Sequence, residues 1–282
     1  MRSPHAHPLV ASVAFAAALA LWLAPQVGSA QEGGFDAAAV AAYAQAQGGN
    51  AKARMYAYGG TVYDVPSGRI LATVDGFQIA RAFPGSRAEP DTWYVVRRAF
   101  LLYRAPGSGE VLAYYPDVRA QNMPVPSLGI VRYQLRGDRI VTAALSGVRG
   151  NTRNIALPEQ LGAAREDDSW VFRRVLSPPD PQQKPIELTE IVMADHSAGA
   201  EPRIRFVMTK VADNWGFLPP GGRHLLHLSW RPVSSMASLA PRVRSLLDDE
   251  APAVKSLPGS LAAAFAELGV AGVDPSPAPS PR

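Results

Sequence analysis

Between Met55 and Trp230 apolar and polar positions exchange with a period of two, in runs rich in β-branched and aromatic residues. Side chains on an extended chain alternate between two faces, so each run predicts a strand. The runs are Met55–Val65, Arg69–Ala82 (with Gly76 marking a bulge), Trp93–Tyr103, Val111–Tyr115, Ile130–Leu135 and Arg139–Leu145. A polar interval follows, and then Trp170–Leu176, Ile186–Ala194, Ile204–Val211 and His224–Trp230. Gly, Pro, Asp and Ser fill the short breaks, which favours antiparallel neighbours joined by tight turns. Outside this span the period changes. "FDAAAVAAYAQAQ" at Phe35–Gln47 has helical spacing behind Asp36 and stops at Gly48-Gly49. Pro241–Glu250 and Ser260–Leu268 are two further helices, the second ended by Gly269.

Two turns invite a functional reading and lose it on inspection. Pro106-Gly107-Ser108-Gly109 resembles a phosphate loop, but the β-forming "VLAYY" follows where a helix N-terminus would be needed to meet an anion. Its spacing also differs from the Gly-x-Ser-x-Gly of a nucleophile elbow. It is predicted to be a hairpin bend. Arg136-Gly137-Asp138 spells an adhesion signal, yet it lies between "IVRYQL" and "RIVTAAL", where Gly and Asp suit the positive φ of a two-residue turn.

Aromatic residues concentrate in the strands. Alternation puts Trp93, Val95, Leu101 and Tyr103 on one face and Tyr94, Val96, Phe100 and Leu102 on the other, so both faces of that strand are predicted to be covered. About ten strands in up-and-down order predict a mainly β fold, an antiparallel barrel or strongly curled sheet, lipocalin-like in general shape, with an N-terminal helix and one or two C-terminal helices. A barrel of that size has room for a cavity. Tyr58, Trp93, Tyr103, Tyr133, Trp170, His224 and Trp230 are the candidate lining for a small, partly apolar ligand; the alternative is that these aromatics fill the core.

The first thirty residues change the picture of where the chain works. Arg2, an apolar run from Leu9 to Ala24 and the small residues Gly28-Ser29-Ala30 form a secretory signal peptide, with cleavage expected before Gln31 and a periplasmic or secreted product. Retention as an anchor is the lesser reading, since the apolar run is short for a membrane span. No stable span is expected after signal removal. Residues 31–269 are read as one domain: "LSPPDPQQKP" at Leu176–Pro185 divides early from late strands, but four late strands make a poor core alone. The Pro/Ser-rich 270–282 reads as a disordered tail.

The absence of Cys removes disulfides, thiol chemistry and Cys-based metal sites together. The formal charge of +4 is scattered among acids, which does not form the concentrated patch a nucleic acid requires. His224 and His227 in "GGRHLLHLSW" tempt a metal reading, but residues three apart on a strand point to opposite faces. No metal and no cofactor are expected. Asp195-His196-Ser197 is read as a turn, because triads are assembled from separated segments. Glu190, Arg205 and His227 remain, on late strands. Facing one cavity they would supply an acid/base pair and an anion-orienting Arg; on an outer face they would be solvated charges.

Four stretches, "GGTVYDVPSG" with "VDGFQIARAFP", "FLLYRAPGSGEVLAYYP", "HLSWRPVSSM" and "KSLPGSL", resemble a family of exported bacterial proteins, the domain of unknown function numbered eighteen thirty-eight. The family's Asn-Pro turn and Asn-Asp-Pro-Val stretch have no counterpart in "PDVRAQNMPVPSLGIVRY". The resemblance implies a secreted, mainly β domain and brings no reaction with it. The leading expectation is non-covalent binding of a small, partly apolar molecule. A metal-free hydrolase or isomerase using Glu190, His227 and Arg205 is the second, and a surface-interaction module without a cavity the third.

Overall fold

Twelve antiparallel strands form one sheet that curls back on itself. The computed structural model describes residues 36–49, 52–115, 128–137, 139–148, 151–157, 159–166, 169–176, 187–195, 203–213, 218, 222–249 and 251–269, all within the compact unit that begins at Gly33. The strands are β1 Arg54–Asp64, β2 Ile70–Pro84, β3 Thr92–Arg104, β4 Val111–Tyr115, β5 Leu128–Arg136 and β6 Arg139–Val148, then β7 Asn151–Leu157, β8 Glu159–Glu166, β9 Ser169–Leu176, β10 Glu187–Asp195, β11 Arg203–Asp213 and β12 Arg223–Val233. Hydrogen bonding orders them β7-β6-β5-β3-β2-β1-β12-β11-β10-β9-β8. The order is up-and-down: the last strand pairs with the first, and the seam falls between β7 and β8, where β6 also approaches β8. The result is a nearly closed barrel. β4 shares an edge of β3 with β5, pairing with its C-terminal end while β5 takes the rest.

The expected hairpins are present. Gly107 and Gly109 take φ of 86° and 70° between β3 and β4, and Gly137 takes 65° in the turn that pairs Arg136 with Arg139. Two expectations are corrected. The polar interval before Trp170 holds β7 and β8, which complete the wall despite their weak apolar alternation. Gly76 is no bulge: the β1–β2 register runs through it unbroken, and the shift lies between Val62 and Tyr63. Gly76 serves close approach instead, because a Cβ there would stand 2.3 Å from the Phe100 carbonyl oxygen. The signal peptide, Asp138, the Asp-His-Ser turn beyond Asp195, most of the Pro-rich connector and the tail lie outside the described residues.

Helix α1, Ala37–Gly48, is capped by the Asp36 carboxylate, which accepts from the Ala39 amide at 2.7 Å. Eight of its twelve residues are buried, and only Ala37 and Ala38 at its start are exposed. It contacts β2, β3 and β5 on one side of the ring and β9 and β10 on the other, so it runs inside the barrel. Composition explains the fit: eight Ala-or-Gly positions make a thin cylinder that the wall can enclose. Tyr43 is its one large apolar key, with its ring 5.1 Å from Tyr133 and 5.0 Å from Phe172.

The chain after β12 covers the outside. A 3₁₀ turn at Met236–Ser238, α2 Pro241–Asp249 and a second 3₁₀ turn at Pro252–Lys255 bury Leu239, Val243, Leu247 and Val254 against Phe77, Phe100 and Leu102. Helix α3, Leu261–Glu267, is capped by Ser260 and packs Phe265 on Tyr94, Val96 and Ile130. Arg98 reaches Glu267 at 2.6 Å and ties α3 to β3. Both faces of β3 are therefore covered, as its composition predicts.

Candidate functional site

The inner wall contains every candidate ligand residue. Tyr103, Tyr133, His224 and Trp230 are buried, and Tyr58, Trp93 and Trp170 are partly buried beside them. Tyr133 meets Tyr43 of α1 edge to face. Trp230 stacks on Phe206 at 4.8 Å with Tyr58 at 5.4 Å, Trp170 stacks on Phe172 at 5.6 Å, and the Tyr58 hydroxyl donates to Gln78. The space those residues surround contains the protein's own helix.

The proposed acid–base trio separates. Glu190 points inward and is 3% exposed, whereas Arg205 and His227 stand exposed on the outer face. Glu190 accepts from Arg174 Nη1 at 3.0 Å and from Gln47 Nε2 at 2.8 Å. A buried carboxylate requires such partners, and here one comes from its directly opposite neighbour on β9 and the other from α1. Sequence reading missed Arg174, although its parity with Trp170 and Phe172 places it inward. The carboxylate is thus engaged as a lock between α1 and the wall. His224 and His227 do fall on opposite faces, and His224 Nδ1 is buried with no hydrogen-bond partner.

A different concavity lies on the outer wall, with a volume of about 460 Å³ and open to one side. Its floor is Ala57 and Gly59 of β1, Val207 of β11 and Ser229 of β12. Arg205 and Arg231 stand along it, Asp75 of β2 closes one end, and Ser238 and Ala240 of the segment before α2 form a rim. Asp75 is paired with Arg104. Gly59 sets the depth: no atom lies within 4 Å of where its Cβ would be, so any larger residue would project freely from the strand. Tyr58, Phe206 and Trp230 also border it, so of the lining the sequence singled out Arg205, Tyr58 and Trp230. Arg231, directly after the buried Trp230, carries the same outward parity and was the available signal.

No family model matches this chain, and neither does any curated protein or any solved structure.

Proposed function

We propose that this is an exported binding protein that holds a small, partly apolar molecule non-covalently, in the outer groove and not in the barrel bore. One observation carries the reading: α1 packs against both walls of the bore, while the groove is open and within the ~300–1,000 Å³ span typical of small-molecule sites. Its floor is apolar and its edges polar, which suits a ligand of mixed character. The signal-peptide pattern and the resemblance to exported bacterial domains support a periplasmic or secreted location. Glu190 is buried and committed to Arg174 and Gln47 while His227 stands on the outer face, which counts against the acid–base alternative.

Gly59→Trp tests the groove. The added Cβ meets nothing within 4 Å and the indole projects into the concavity, so the variant is expected to keep its melting temperature and lose any small molecule that native mass spectrometry finds on the wild-type protein. A retained adduct on a folded Gly59→Trp protein would overturn the reading. N-terminal sequencing of exported protein is expected to begin at Gln31; an exported chain that keeps Met1 refutes the cleavage step.

A further inference from the structure

We infer that the groove's ligand is a single-chain anionic amphiphile, its carboxylate or sulfonate head held between Arg205 and Arg231 and its tail lying over Val207, Ile191 and Met193. The inference rests on the groove reading and adds the chemical class. Strand register supplies the geometry. Phe206 faces Trp230 across β11 and β12, so the next step along each strand sets Arg205 beside Arg231 on the outer face. Like charges directly opposite each other repel, and among the described residues neither guanidinium has an acidic partner. The one carboxylate at the groove, Asp75, is taken by Arg104. An anion between the two arginines would remove the repulsion and gain paired, charge-assisted hydrogen bonds.

The tail path follows from the neighbouring row. Ser229 faces Val207, and Val207 faces Ile191; one row along, Arg205 faces Met193. An apolar shelf therefore leaves the groove and crosses from β12 to β10, about 10 Å at two strand spacings. Ile191 and Met193 are 38% and 39% exposed, two of the four large apolar side chains most open to solvent among the described residues. The C-terminal helices cover β1, β2, β3 and β5 and leave this part of the wall bare. Arg173, opposite Ile191, ends the shelf with another exposed cation.

Calorimetric titration of the full mature chain with decanoate, decyltrimethylammonium and butyrate decides the matter. Decanoate is expected to bind at least ten-fold more tightly than the cation. Arg205→Gln or Arg231→Gln should each weaken decanoate about ten-fold, the scale of a lost charge-assisted bond. Paired Ile191→Ser and Met193→Ser changes should lower decanoate affinity while leaving butyrate unaltered. Arg231→Gln should also raise the melting temperature of ligand-free protein, because it removes the repulsion. If the cation binds as tightly as decanoate and Gly59→Trp abolishes both, the groove stands and the anionic class falls. If Gly59→Trp leaves decanoate binding intact, the groove reading is itself wrong. Failure of every probe overturns both.

Discussion

Glu190 sits where a carboxylate is costly, and its two partners explain why it persists. Removing it by Glu190→Ala would take the buried carboxylate from the partly buried Arg174 guanidinium and from the Gln47 amide. Loss of one member of a buried pair typically costs about 3–5 kcal/mol. Urea unfolding should record a loss of that order, and replacing both members with apolar residues of similar size should cost much less. Tyr56 makes a second prediction at this scale. Burial holds its phenol well above the ordinary value of 10, and burial with the Glu89 carboxylate at 2.7 Å pushes Tyr94 up to about 12. Above pH 10 the unfolded chain releases protons that the folded chain keeps, so stability should fall as pH rises from there. Absorbance at the phenolate band should show these two tyrosines titrating only as the protein unfolds. A normal titration for all tyrosines with the fold intact would contradict the packing.

At the scale of elements, α1 and the strands it touches were chosen for thinness. Gly48 ends the helix against β2, where a Cβ would stand 2.6 Å from the Ala82 nitrogen and the Arg81 carbonyl carbon. Gly→Ala inside a helix ordinarily gains about 0.5–1 kcal/mol. Here the sign should reverse: Gly48→Ala has to push the helix off the wall, and thermal unfolding should show a lower melting temperature. Ala44, fully buried, gives a companion test, since Ala44→Leu adds volume that the bore lacks and should cost about 1–3 kcal/mol. Tyr56 fastens the same helix end by donating its hydroxyl to the Ala46 carbonyl, and Arg54 donates to Gln45 at 3.1 Å.

At the scale of the whole molecule, the barrel is built around a segment that precedes it in the chain. Its core joins α1 to residues from nearly every strand, from Tyr56 on β1 to Trp230 on β12. A chain beginning at Lys52 would expose those inner aromatics to water, and near-UV circular dichroism should then lose its fixed aromatic signal while strand content largely remains. Retention of the native spectrum would mean that the wall is stable when hollow.

Local pattern was enough for most of the wall. Period-two alternation placed ten of the strands and showed which side chains share a face, because that depends only on position along an extended chain; which face turns inward it left open. The glycines of the β3–β4 and β5–β6 turns were legible for the same reason: a positive φ is a demand of one residue's own backbone. β7 and β8 were not, since their pairing is supplied by neighbours already in the wall more than by their own apolar content. Three matters depended on distant segments meeting. The occupant of the bore is α1, whose Ala-rich sequence showed a helix without saying where it would sit. Glu190 found Arg174 and Gln47, one from a neighbouring strand and one from the far N-terminus, which removed it from any site shared with His227. The groove exists because β1 pairs with β12 and brings Gly59 beside Ser229 and Val207. A single sequence states which side chains share a face; only closure of the ring decides which face turns inward and what it meets.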